Sequence, residues 1–206
     1  MKKLLVLLFS FLLLSSPSVY ADDISDFEIE GISIGDSLLD YMTEDEILKE
    51  IERTKDYYLH LNEPNKYAHI ELETESKIYD ILLFLIKNNS NNQYITDSRE
   101  KFKILALRGS INYIEDFDSC LKKRDEITGV TSKMFPNAIK TEKVFNSSID
   151  SSGESIVDGI YLKFESRDDI ELSCDNFKES IRIERGLGEG LNVSIRTNEI
   201  ITWLSN

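Results

Sequence analysis

Histidine is scarce among the residues that commonly carry catalysis or bind metals. The 206-residue chain has two, His60 and His69. They could bind a metal only together with Glu63, Glu71 or Glu73. Isolated histidines in a polar region are more typical of a solvated surface. We therefore expect no metal site, no cofactor and no catalytic residue that depends on a histidine base.

No apolar run is long enough to span a membrane. The run Leu4–Leu14 has eleven residues, whereas a spanning helix needs about 20. Lys2 and Lys3 precede it and small residues follow it, which is the order of a secretory signal peptide. We expect residues 1–21 to be removed before Asp22, leaving a periplasmic or secreted protein with no stable membrane anchor.

Positive charge is in short supply. Lys and Arg number 24 against 38 Asp and Glu, so the net charge is −14, and it becomes −16 when Lys2 and Lys3 leave with the signal peptide. Nucleic acids and anionic membranes bind positive surfaces, so neither is expected as a partner. The mature chain, residues 22–206, has the length of a single domain. An unknown protein or envelope component is the expected partner.

Alternation of apolar and polar residues predicts a sheet. The strand patterns cover residues 27–34, 67–74, 78–86, 102–107, 140–146, 156–164, 170–174 and 191–197. A bulge is expected at Gly31, and Gly186, Gly188 and Gly190 predict a turn before the last strand. Because strands outnumber helices without regular alternation, we expect an α+β fold: a mostly antiparallel sheet with helices packed on one side.

Three helices accompany these strands. Thr43 and Glu46 form a capping box, which predicts a helix from Glu44 to Lys55. Asp118 is the expected cap of a central helix, and Asn198 of a short terminal one. The apolar face predicted for the central helix consists of Cys120, Ile127, Val130 and Met134.

The two cysteines, Cys120 and Cys174, are the only pair in the chain. An exported protein meets oxidising conditions in which disulfides persist, so we expect a bond between them. Since Cys120 lies on the predicted helix and Cys174 on a predicted strand, the bond would join helix to sheet, with the Cα atoms about 5–6 Å apart.

The segment Gly35-Asp36-Ser37-Leu38 resembles the motif that names the GDSL hydrolases. In that family a serine attacks an ester with the help of an Asp-x-x-His segment, and this chain has no such segment. An esterase using Ser37 is therefore disfavoured. The segment is interpreted instead as a turn at Gly35 followed by a short helix through Met42, with Asp36 or Ser37 as its cap.

Two other segments have the residue types of a binding loop without its pattern. Glu115, Asp116 and Asp118 lack the twelve-residue calcium loop with its central glycine. Gly186–Gly190 has the glycine content of a phosphate loop without the Lys-Ser/Thr ending. Neither is expected to bind a ligand.

Five segments carry a resemblance to known proteins: Ile29–Tyr41, Thr43–Glu46, the helix Cys120–Ile127, Cys174–Asn176, and the closing strand and helix Ile195–Leu204. Together they resemble a family of uncharacterised exported proteins from Pelagibacter-type marine alphaproteobacteria. That family has no assigned activity, so the resemblance implies an architecture and an exported location but no catalytic residues.

These observations together favour a non-enzymatic exported domain of the periplasm or envelope that binds or interacts with another component. The hydrolase built on Ser37 is the disfavoured alternative. A small-ligand binder, which would need a concave apolar cavity, is the third hypothesis.

Overall fold

The computed structural model describes residues 23–55, 66–73, 78–88 and 97–205. The predicted signal peptide, residues 1–21, and His60 lie outside these ranges. None of the helices in the described ranges is both long enough and apolar enough to cross a membrane.

Seven strands form one sheet in which every neighbouring pair is antiparallel. In chain order they are β1 (Tyr67–Glu73), β2 (Ile81–Lys87), β3 (Ile104–Asn112), β4 (Ile139–Asn146), β5 (Ile156–Lys163), β6 (Asp169–Asn176) and β7 (Gly190–Arg196). Across the sheet the order is β1-β2-β3-β7-β6-β5-β4, so β7 separates two meanders. The predicted α+β fold with an antiparallel sheet is confirmed.

The helices of the described residues are α1 (Glu44–Thr54), α2 (Phe117–Met134), α3 (Glu179–Arg185) and α4 (Asn198–Leu204). The predicted capping box is present before α1: the Glu46 N–H donates to Thr43 Oγ1 at 3.4 Å, and the Thr43 N–H donates to Glu46 Oε2 at 2.9 Å. The sequence patterns did not predict α3. Gly186 ends it with a left-handed φ of 62°, so this glycine closes a helix rather than a hairpin.

One face of the sheet, here named the apolar face, carries the core. The strand registers align Leu107, Ile195 and Ile170 across β3, β7 and β6, and all three are buried. Ile47 of α1 and Cys120 of α2 belong to the same buried cluster. The two longest helices, α1 and α2, therefore pack on this side of the sheet.

The other face, here named the open face, carries the alternate residues of the same strands. The registers align Arg108, Ser194 and Glu171 across β3, β7 and β6 on this side. The short helix α4 reaches its corner, where Ile200 packs in a small cluster with Tyr67. Part of the open face is thus sheltered by the C-terminus.

The buried stripe of α2 differs from the predicted one. It follows Cys120, Arg124, Thr128 and Thr131, whereas Val130 is 58% exposed. Polar residues can be buried there because the two threonine hydroxyls donate to carbonyls of their own helix, at 2.8 and 2.9 Å. Arg124 lies one helical turn after Cys120. Its guanidinium donates to the carbonyl of Asp158 in β5 and forms an ion pair with the carboxylate of the same residue.

The prediction of an edge strand over residues 27–34 is wrong. The N–H groups of Ile29 and Ile32 each donate to the other residue's carbonyl, at 3.0 and 3.1 Å. Between them Glu30 and Gly31 have φ of 55° and 75°, and two consecutive left-handed residues make a tight reversal. The chain folds back on itself, so both isoleucines are buried.

The two edges of the sheet differ in their protection. At β1, the Thr54 hydroxyl of α1 donates to the His69 carbonyl at 2.6 Å, so a helix covers this edge. At β4, nearly every residue is exposed, with Ile139 and Val144 exposed by 68% and 65%. The β4 edge is the open one.

Candidate functional site

The structure uses Ser37 to hold a turn. Its hydroxyl donates to the Lys101 carbonyl at 2.7 Å and accepts from the Leu39 N–H at 3.4 Å. Ser37 is 5% exposed and caps the 3-10 helix Leu38–Asp40. The predicted capping role is confirmed. Because the hydroxyl proton is bonded to a backbone carbonyl, this serine is not positioned as a nucleophile.

Replacing Ser37 by Ala is expected to lower the free energy of unfolding by about 1–2 kcal/mol, because the cap and the bond to a buried carbonyl are both lost. Urea unfolding measures this loss. The exposed Ser148→Ala is the matched control and is expected to change stability by less than about 0.5 kcal/mol. A fluorophosphonate probe that labels Ser37 would contradict the structural role.

The candidate metal ligands are not brought together in the part of the chain that the structure describes, where no three His, Cys, Asp or Glu side chains form a possible cation site. His69 lies in β1, and Glu71 two residues later pairs with Arg53 of α1 at 2.9 Å. This glutamate therefore serves the contact between α1 and the sheet edge.

The acidic residues before α2 form a helix cap. Asp116 Oδ1 accepts from the Ser119 N–H at 3.2 Å, so the cap lies two residues before the predicted Asp118. Glu115 precedes it in a left-handed conformation, with φ of 60°. The segment therefore caps and begins α2.

A cleft of about 170 Å³ lies on the open face, between the strands and α4. Four strands, β1, β2, β3 and β7, contribute to it together with the last turn of α4. Its lining residues are His69, Leu83, Phe84, Leu85, Ala106, Leu107, Arg108, Ser194, Arg196 and Leu204. A wall of leucine and alanine side chains thus meets two guanidinium groups and one imidazole.

Arg196, which lines the cleft, is held by two carboxylates. Its Nε and Nη2 donate to the two oxygens of Asp169, both at 2.8 Å. Its Nη1 lies 2.5 Å from Glu171 Oε2, close enough for an ion pair although not aligned as a hydrogen bond. Burial, with the nearby Glu171, raises the pKa of Tyr161 to about 12, so the phenol stays protonated beside this pair. The positive charge of Arg196 is therefore balanced within the protein.

Arg108 is placed differently. Its Nε donates to Ser194 Oγ at 3.0 Å, and among the described residues no carboxylate oxygen lies within 4 Å of its guanidinium nitrogens. Asp175, farther along the open face, accepts from Asn192 Nδ2 at 2.9 Å. Burial raises the pKa of Asp175 to about 6, against the opposing effect of Arg108. The cleft thus contains one half-buried cation with no ion-pair partner in the described chain.

Replacing Asp175 by Asn is expected to stabilise the protein at pH 7 by about 2–3 kcal/mol and to have little effect at pH 4. The native carboxyl holds its proton more tightly than the unfolded chain does. The Asp175 carboxyl therefore makes its full contribution to stability below the pKa that it has in the unfolded chain, near 3.8. This contribution is lost as the pH rises through about 6, the pKa in the folded protein. Asn keeps the acceptor for Asn192.

Urea unfolding at the two pH values tests this expectation. The exposed Glu165→Gln is the control, because it removes a carboxylate without relieving burial. An equal gain from the Asp175 variant at pH 4 and pH 7 would contradict the assignment.

Sequence patterns predicted the strands that form the cleft but not the cleft. Each of its polar residues occupies an alternate strand position, which is also the pattern of an ordinary solvated face. The available signal was the charge of two positions: Arg108 follows the apolar run Ile104–Leu107, and Arg196 is the last residue of β7. Which strands become neighbours decides whether two such residues converge.

Comparisons with known proteins add no residue to this site. No family model, curated protein or solved structure matches the chain.

Proposed function

We propose that this protein is an exported, non-enzymatic binding domain of the periplasm or envelope that holds a small ligand in the cleft of the open face. The observation that carries the proposal is the composition of the cleft. Apolar walls with a few convergent polar groups are typical of small-molecule sites. The disulfide is compatible with export, since disulfides persist in oxidising compartments.

The alternatives have less support. A hydrolase built on Ser37 would require a hydroxyl that is accessible and activated, whereas this one is buried and caps a turn. A protein or envelope component as the partner stays a prediction, because nothing in the described residues indicates its chemistry. The cleft, by contrast, specifies both a size and a polarity.

A screen of small organic fragments by ligand-observed NMR tests the proposal. Ala106→Leu adds three carbon atoms to the wall of the cleft and should abolish binding of the fragments that the natural protein retains. Ala138→Leu makes the same change outside the cleft and should leave binding intact. Absence of any fragment that distinguishes the two variants would count against a ligand-binding role.

A further inference from the structure

The ionisable side chains that line the cleft are all basic. Arg108, Arg196 and His69 contribute to the lining, and no aspartate or glutamate does. The carboxylates of Asp169 and Glu171 pair with Arg196 and neutralise it, and neither residue lines the cleft. The lining of the cleft therefore offers hydrogen-bond donors and no carboxylate.

The two arginines are not equivalent. The Arg196 guanidinium pairs with two carboxylates. The Arg108 guanidinium instead donates one hydrogen bond, from Nε to the neutral hydroxyl of Ser194. Its two terminal nitrogens have no ion-pair partner among the described residues. A guanidinium presents its donors as a rigid fork that fits a carboxylate with two parallel hydrogen bonds. Arg108 is therefore the residue suited to bind the charged group of a ligand.

The apolar wall and the volume define the rest of the ligand. Leu83, Leu85 and Leu204 also line the cleft, and their side chains offer no hydrogen bond. A volume of about 170 Å³ is close to that of an engineered cavity of roughly 150 Å³ that holds benzene. One ring, or a short branched chain, fills such a space.

From these observations we infer that the cleft selects a small monocarboxylate with an apolar body, and that Arg108 binds its carboxylate. This inference rests on the proposed function and specifies its ligand class. An ammonium group would be repelled by the positive charge of Arg108. A neutral amide could accept a hydrogen bond from the guanidinium but could not form the paired, charged interaction that a carboxylate forms. Discrimination among ligands of one shape should therefore follow their charge.

Titration of the full-length folded protein at pH 7, followed by NMR shifts of the leucine methyl groups, tests the inference with three probes of similar size. Benzoate is expected to bind at least about tenfold more tightly than benzamide, and benzylamine least well. Arg108→Gln should raise the dissociation constant of benzoate by at least about tenfold and change that of benzamide by no more than about twofold. Arg185→Gln removes an exposed arginine of α3 and should leave the affinities for benzoate and benzamide unchanged.

Each outcome has a distinct meaning. Equal binding of benzoate and benzamide would overturn selection by charge but leave a ligand-binding cleft. Benzoate binding that survives Arg108→Gln would overturn the role of Arg108 alone. If none of the three probes binds while the fragment screen finds other ligands, the ligand class is wrong and the proposed function stands. If Arg108→Gln does not fold, the benzoate-to-benzamide ratio of the natural protein still decides selection by charge.

Discussion

Reduction of the bond between Cys120 and Cys174 is expected to lower the free energy of unfolding by about 4 kcal/mol. The bond closes a loop across a sequence separation of 54 residues, and opening it returns that loop's conformational entropy to the unfolded chain. Both cysteines are fully buried, and their Cα atoms are 6.0 Å apart, within the predicted range. For a domain of this size the melting temperature should fall by about 8–16 °C.

Calorimetry with and without a phosphine reductant measures this shift. The double variant Cys120→Ala and Cys174→Ala is the control, since its melting temperature should not respond to the reductant. A fall of less than about 2 °C in the natural protein, with two thiols titrated, would show that α2 is docked without the bond.

Arg196→Met is expected to lower the free energy of unfolding by about 3 kcal/mol. The substitution replaces the aliphatic stem of the side chain but leaves Asp169 and Glu171, whose side chains are 5% and 10% exposed, without their cation. Removing one partner of a buried ion pair is costly because the remaining charge stays out of water. Urea unfolding at pH 7 measures the loss.

The exposed pair of Lys123 and Glu126, 3.1 Å apart on α2, provides the control. Lys123→Met should cost less than about 1 kcal/mol, since water already solvates both charges. Adding Asp169→Asn and Glu171→Gln to Arg196→Met should recover part of the lost stability. Equal losses from Arg196→Met and Lys123→Met would contradict a buried network.

The fold was predictable where the signal is local or covalent. Thr43 and Glu46 act over four residues, and Cys120 and Cys174 had no competing partner, so both features could be inferred from the chain alone. The stripe of α2 was not predictable in the same way. Arg124 is buried only because the register of β5 places Asp158 beneath it, and no local pattern contains that information.

The candidate site was less accessible to prediction for the same reason. Arg108 and Ser194 are separated by 86 residues and meet because β7 pairs with β3. Leu204 reaches the cleft only because the chain continues from β7 into α4. Periodicity identifies which residues share a face of one strand, but convergence depends on the strand order.

The position of β7 also determines when this protein can fold during its synthesis. The two meanders, β1 to β3 and β4 to β6, are complete before residue 190 is added, and they have no strand pairing with each other. Until β7 arrives, β3 and β6 are unpaired edges whose backbone groups could pair with other chains. Cys120 and Cys174 both precede β7 in the chain, so under oxidising conditions their bond does not require β7 to be paired. The sheet itself becomes continuous only when β7 has been added between β3 and β6.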